Sequence, residues 1–371
     1  MKYRITQFSD CDVPAVKAFN LRLAHNTTAP RFPESPTPTW LPRNANSSLH
    51  QEYYIVHGEE SVHGGYVLKL QNFILRGQLE RIGYFSLPIS EGIIDPSHAI
   101  VGMLTAKDAL RRSPLLFGLG MGGVTQPIAK LLRHLKFSLT PCPFLFRVNH
   151  PYQFLRNIAF LRETLLGKTL LDVLAITGLG WAALHAVQSL AGYRMSLTDP
   201  TKVERFHEFD SWCNDLWEKT YENYSLIAVR DQEVLQTLYP SNDTSFVKLR
   251  VMQYHTTVGW AVLRNTSMKN HGQFGNMQVG SIVDTLAIPG HEESVVRHAT
   301  KFLQQAGVDL LLSNQLHKNW IRAFQDNGYL QGPSNYVLAM SPQLASLLSP
   351  FDETYPQIHM TRGDGDGPIH L

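Results

Sequence analysis

The order of predicted elements runs through this chain twice, and that repeat constrains its fold more than any single motif. The first pass opens with a strand at Tyr3–Gln7 and a helix started by Ser9 and Asp10, running from Asp12 to about Ala24. Thr27–Asn46, rich in Pro, Thr, Ser and Asn, reads as a loop. Strands follow at Gln51–His57 and Val62–Leu70, joined by the turn Gly58-Glu59-Glu60, with Phe73–Arg76 continuing the meander and Arg81–Leu87 ending at Pro88. A helix over Ser97–Arg112, a strand at Leu115–Leu119, a helix at Thr125–Leu135 and a strand at Phe144–Val148 complete it. The second pass has an amphipathic helix over Val203–Tyr221, strands at Phe246–Tyr254 and Thr257–Leu263, and a long strand at Met277–Ile288. A helix at Glu292–Ala306, a strand at Val308–Ser313, a helix at Lys318–Asp326 and a strand at Ser334–Met340 close it. Pro88 matches Pro289, and Phe137 matches Tyr329, at spacings of about 200 residues. The expected architecture is α/β with mixed sheets: two copies of one domain over 1–150 and 203–345, a helical connector over 151–202 and a tail over 346–371.

Composition narrows the class. With 33 Lys plus Arg against 31 Asp plus Glu the net charge is +2, which argues against a sequence-independent nucleic-acid binder, since that would need a dominant basic face. Only 17% of the 371 residues are charged, against the usual quarter or so, while 43% are hydrophobic. Large buried interfaces are the expected cause. Cys11, Cys142 and Cys213 are too few and too scattered for a disulfide framework or a CxxC metal site. The N-terminus has no apolar run of signal-peptide type, so a cytoplasmic chain is expected. Thr169–Gly192 is nearly uncharged apart from Asp172 and has the length of a membrane span, but its Thr, Gly, His and Gln make a poor one. A packed inter-domain helix is the first reading. An interfacial helix, which would make the protein peripheral to the inner membrane, is the second.

The second pass carries residues that resemble the GNAT family of acyl-CoA-dependent N-acyltransferases, in tandem arrangement. Asp284-Thr285-Leu286-Ala287-Ile288-Pro289 is similar to that family's fourth strand, in which an acid precedes alternating apolar residues and a terminal Pro. Ser313-Asn314, then Trp320, Ala323 and Asn327-Gly328-Tyr329, resembles its Asn, helix, Gly-aromatic run, echoed at Ala129–Phe137. The paired layout, with Trp320 and Gly332–Tyr336, also resembles the Fem-type transferases built from two such halves. The resemblance implies transfer of an acyl group from a thioester, acyl-CoA or acyl-phosphopantetheine on an acyl-carrier protein, to an amine. An amino sugar, an amino acid or a lipid-linked cell-envelope precursor is the implied acceptor. The alternatives are a non-catalytic binding or scaffold protein and a Fem-like aminoacyl transferase.

Acyl transfer to an amine needs a base, a donor on the thioester carbonyl and a proton for the thiolate. Asp284, at the position where the family often has its base, and Glu91, just after the matching strand of the first copy, are the candidate bases. The family's acid Tyr position holds Phe324 here and Leu132 in the first copy, which leaves Tyr336 as the candidate acid. The family's Gly-rich pyrophosphate signature is missing from both copies. Glu292 and Glu293 would repel a pyrophosphate at their helix start. Ser97, His98 and Ala99, with Arg111 and Arg112 on the same helix, are therefore the expected cofactor-binding residues. Asn314, His317 and Trp320, where a strand meets a helix, are the expected substrate-binding residues.

The Gly118–Gly123 run lacks the acidic partner of a dinucleotide fingerprint, and none of the 16 His has metalloprotease spacing, so no metal is expected. The run from His359 to Pro368 alternates Gly and Asp and reads either as a flexible tail or as an ordered tail closing over a site.

Overall fold

The computed structural model describes residues 3–26, 30–43, 46–59, 61–158 and 199–365. Thr169–Gly192, and with it most of the expected connector, lies outside them. Among the described residues no helix is long and apolar enough to cross a membrane. The chain divides into two compact units: Met1–Pro141 with Leu226–Val229 and Asn335–Thr354, and Cys142–Ser225 with Arg230–Ser334 and Tyr355–Leu371.

Elements are numbered in chain order. The first unit holds β1 (Arg4–Gln7), β2 (Leu49–His57), β3 (Val62–Leu75), β4 (Gln78–Ser90), β5 (Leu116–Gly120), β6 (Ser138–Pro141), β9 (Leu226–Ala228) and β15 (Val337–Met340). They form one sheet in the order β1-β2-β3-β4-β5-β15-β6, with β9 also paired to β3. Its helices are α1 (Val13–Asn26), α2 (Ile100–Arg112), α3 (Pro127–His134), α9 (Pro342–Leu347) and α10 (Phe351–Thr354). Successive side chains of a strand point to opposite faces, so one strand feeds two cores. Ile55 and Val67 pack with Val16, Phe19 and Leu23 of α1. Their neighbours Tyr54, Tyr66 and Leu68 pack with Ala106 and Ala109 of α2 and Leu132 of α3.

The β3–β4 hairpin closes at Leu75 opposite Gln78 through Arg76 (φ 48°) and Gly77 (φ 78°). Two left-handed turn residues match the twist of the strands. Farther along, Val67 faces Ser86 but Gly65 faces Ile89, so Leu87 and Pro88 together oppose Tyr66 in a bulge, with Leu87 at φ 47°. Beside it, β4 and β5 run parallel but pair only at Gly83–Leu116 and Tyr84–Phe117, although β4 continues to Ser90. The two strands part after the second pair.

The second unit repeats this plan. β7 (Phe144–Val148), β8 (Lys202–Phe206), β10 (Phe246–Gln253), β11 (Thr256–Ser267), β12 (Gln278–Ala287), β13 (Leu310–Asn314) and β14 (Leu330–Gly332) form a sheet in the order β14-β7-β13-β12-β11-β10-β8. Its helices are α4 (Pro151–Asn157), α5 (Trp212–Glu218), α6 (Gln232–Leu238), α7 (Glu292–Gln305) and α8 (Lys318–Asp326). The parallel pair β12–β13 is in register only from Val279–Leu310 to Ser281–Leu312, and β12 carries a bulge at Val283, between the pairs Val262–Asp284 and Leu263–Ile282.

One predicted element departs from the sequence expectations. The amphipathic stretch at Val203–Tyr221 is not one helix: its first part is β8, antiparallel to β10, and its α-helical part is Trp212–Glu218. The apolar stripe was real, since Phe206 lies 4.9 Å from Phe209 and 5.3 Å from Trp212. A strand, a turn and a helix build it, because pairing with β10 outweighs local propensity. In the tail, Ile358, His359, Met360, Thr361 and Asp364 are buried in the second unit. The units also exchange strands. The segment from Cys142, with β7, belongs to the second unit, and Asn335–Thr354, with β15, to the first, whereas the sequence reading divides the copies at 150 and 203.

The ladder between β11 and β12 tolerates nothing larger than hydrogen at Gly259. A Cβ there would stand 2.7 Å from the Leu286 carbonyl oxygen and 2.5 Å from Val295 Cγ2. Gly259→Ala is expected to cost roughly 1–3 kcal/mol, read as a lowered urea midpoint at unchanged m-value.

Candidate functional site

The expected site residues divide between the units. In the second unit, Asp284 has no exposed surface. It faces Arg230, also fully buried, whose Nε lies 3.2 Å from Oδ2 and Nη2 3.1 Å from Oδ1. Tyr239 Oη donates to Oδ2 at 2.9 Å and Thr361 Oγ1 to Oδ1 at 2.9 Å. The same Arg230 Nη2 donates to Asp364 Oδ1 at 2.8 Å, so two carboxylates from distant segments share one guanidinium. Burial pushes the Asp284 carboxyl up, Arg230 pulls it down and Asp364 pushes it up again. Every polar contact is internal, which makes the group a structural knot for the tail. It does not present an accessible base.

His317 and Trp320 come together around Tyr224 and Asn314 does not join them there; all three are buried. Trp320 Nε1 donates to Tyr224 Oη at 3.3 Å, and the Tyr224 ring meets His317 at 4.8 Å and His359 at 4.9 Å. Asn314 donates to the Pro143 carbonyl and accepts from Arg362 Nη1 at 2.9 Å. His359 Nε2 donates to the Thr285 carbonyl on the bulged strand at 2.9 Å. Burial, followed by the neighbouring Lys318, holds His317 down to about 4. Burial, Arg230 and His317 hold His359 well below its ordinary range. A cavity of about 260 Å³ opens here, lined by Asn223, Tyr224, Pro289, Glu292, His317, Lys318, Asn319 and Gln357.

In the first unit, β4 delivers Glu91 to its end. Gly64 lies opposite Ser90, so the next step along both strands sets His63 beside Glu91. His63 Nδ1 is 2.5 Å from Glu91 Oε2, and Arg22 of α1 grips the carboxylate with Nε at 2.6 Å and Nη2 at 3.1 Å. The His98 ring stacks on His63 at 4.0 Å, with its Nδ1 2.8 Å from Tyr3 Oη. Burial alone would raise Glu91, but the hydrogen bonds from Arg22 and then His63 hold it below the ordinary carboxylate range. The cluster reaches the surface: side-chain exposure is 14% for His63 and 37% for Arg22. His63, Glu91 and His98 offer donor atoms within 4.8 Å of one another. Stacked rings aim their lone pairs in nearly parallel planes, and Arg22 already neutralises the carboxylate, so the arrangement suits proton sharing better than a metal ion. Tyr336 is half-buried in this unit, its ring against Gly120 at the end of β5.

The residues expected to hold a pyrophosphate do not converge. The amides of Ser97 and His98 bond the Asp95 side chain and carbonyl, and that of Ala99 bonds the Pro96 carbonyl. Arg111 and Arg112 sit in the last turn of α2, about 20 Å away at 1.5 Å per residue, and both pair with Asp108. Sequence reasoning missed Arg22, Tyr3, His63, Arg230 and Tyr239. Only hairpin register offered a signal, and only for His63.

No family model matches this sequence, and no curated protein is significantly similar to it. The fold is matched by solved structures. Saccharomyces cerevisiae N-myristoyltransferase with bound myristoyl-CoA and inhibitors superposes with a TM-score of 0.52 at 10% identity, over 92% of this chain and 79% of that one. A probable N-acyltransferase of Enterococcus faecalis V583 gives 0.51 at 8% identity, over 97% and 81%. A GCN5-related N-acetyltransferase from Anabaena variabilis gives 0.52 at 8% identity, over 91% and 72%. The chain therefore has the GNAT-like N-acyltransferase fold in a two-domain arrangement.

Two outcomes follow from the second unit. Asp284→Ala leaves a fully buried guanidinium short of one carboxylate and is expected to cost about 3–5 kcal/mol, measured by thermal melting. His317 and His359 are neutral when folded, but the unfolded chain takes up protons below about 6.5. Stability is therefore full above that pH and falls as pH drops from 6.5 towards 4, by up to about 1.4 kcal/mol per unit for each imidazole. Urea midpoints across this range should show the slope, and His317→Gln should flatten it.

Proposed function

We propose that the protein is an N-acyltransferase that moves an acyl group from an acyl-CoA thioester to an amine, with the chemistry in the first unit. One observation carries the reading. Beside a bulged strand and a parted parallel pair, the first unit holds a solvent-reaching imidazole–carboxylate pair, His63 and Glu91, whereas the candidate acid of the second unit is sealed in an ion pair. The fold supports the reaction class, and the chemistry of the pair supports the placement.

In this reading His63, oriented by Glu91, takes the proton from the attacking amine. The bulge leaves extra backbone out of the ladder, and since Pro88 has no N–H, Leu87 is the residue whose amide serves the thioester carbonyl. Tyr336 gives its proton to the departing thiolate. The nitrogen–carbon bond forms, the carbon–sulfur bond breaks, and the products are an amide and free CoA. An amino sugar, an amino acid or a cell-envelope precursor remains the proposed acceptor class, and the low charge of the chain favours a lipid-linked one.

Purified protein incubated with acyl-CoA donors from acetyl to palmitoyl and a panel of amines should release thiol and give an amide detectable by mass spectrometry. Glu91→Gln should lower kcat by about 10²–10⁴ while changing the KM for acyl-CoA little. Absence of thiol release with every pair of substrates overturns the reading.

A further inference from the structure

The hydrogen bonds around His63 continue in the other direction. Its Nε2 lies 3.0 Å from Ser61 Oγ, while its Nδ1 lies 2.5 Å from Glu91 Oε2. Ser61 sits in the turn between β2 and β3, closed by the Gly58 amide on the Ser61 carbonyl at 2.8 Å, and is half-buried. Arg22 locks the far end, bonding both Glu91 oxygens and, through Nη2, the Val62 carbonyl at 2.7 Å. An ionised carboxylate is acceptor only, so Nδ1 carries a proton toward Glu91, and in the neutral form of the ring Nε2 presents its lone pair. In that form Ser61 Oγ donates to His63 Nε2. The His98 ring at 4.0 Å and the Tyr3 ring at 5.9 Å hold the imidazole plane in place.

Hydroxyl, imidazole and carboxylate thus stand in line at hydrogen-bonding distances, the relation of nucleophile, base and orienting acid in acyl-enzyme hydrolases. We propose that Ser61 is a nucleophile that accepts an acyl group from a thioester or activated ester and releases it to water. Ser61 Oγ bonds to the acyl carbon as its proton passes to His63 Nε2. The carbon–sulfur bond then breaks and the thiolate leaves with that proton. Water next attacks the Ser61 ester and gives a proton to Nε2. The carbon–oxygen bond to Ser61 breaks, and Oγ recovers the proton. The sum is thioester plus water giving carboxylic acid plus thiol, with no other reactant. This inference rests on the transferase reading only in taking His63 and Glu91 as a proton-accepting pair; it requires no amine. Ser61 and His63 are its catalytic residues and Glu91 is a positioning residue.

The test treats the full chain with a biotinylated alkyl fluorophosphonate and maps the adduct by peptide mass spectrometry. The expected result is one adduct per chain on Ser61, absent in Ser61→Ala, with an initial burst of nitrophenolate from p-nitrophenyl acetate. His63→Gln should label about 10²-fold more slowly or worse, and Glu91→Gln should lower the limiting labelling rate without moving the probe concentration at half-maximum. No adduct on wild-type protein, an adduct on another residue, or equal labelling in His63→Gln overturns the inference. Amide formation from acyl-CoA that persists in Ser61→Ala leaves the transferase reading intact, so the two can fail separately.

Discussion

A parallel strand pair that stops after two or three residues is the constraint on which the rest of this structure turns. Past Tyr84–Phe117 in one sheet and Ser281–Leu312 in the other, strands that began as neighbours part. Their backbone groups then need partners other than each other. In the second unit the chain supplies them itself. His359 bonds the Thr285 carbonyl, and the tail around it is anchored by Thr361 and Asp364 on the Arg230–Asp284 pair. The same residues that mark that strand by resemblance are thereby consumed in holding a segment of the chain.

The two acids that the sequence offers as candidate bases show how environment sets role. Asp284 and Glu91 both meet an arginine, but Arg230 is sealed and Arg22 is more than a third exposed. A sealed ion pair is costly to assemble and more costly to break, which suits anchorage. A carboxylate that touches an imidazole near the surface can pass a proton to solvent or substrate. Two acids that the sequence offers for one task have accordingly taken on different chemistry.

Much of the fold was legible because local pattern and tertiary demand agreed. The helix over Lys318–Asp326 puts Trp320, Ala323 and Phe324 on one buried face, and the long strand ending at Pro289 is buried along most of its length. Where they disagreed, the sequence misled: Val203–Phe206 carries a helical stripe, yet it pairs with β10. Arg230 and Tyr239 were invisible because their meaning lies in contacts spanning 45 to 134 residues. His63 was the nearest miss. A regular hairpin would have set it opposite Ser90, and the single extra residue of the Leu87–Pro88 bulge turns it to Glu91 instead. Bulges leave little trace in composition, so the cluster needed coordinates.

The strand exchange has a consequence for how the chain is made. β5 meets β15 on one side, and β15 in turn separates it from β6, so the first sheet keeps an open slot until Val337–Met340 has been synthesised. At ordinary rates of translation that slot waits for roughly 200 residues, about 10–40 s. An exposed strand edge over that interval can pair with the wrong chain. The duplicated domains are therefore not separable modules: most of the second must be made before the first can close.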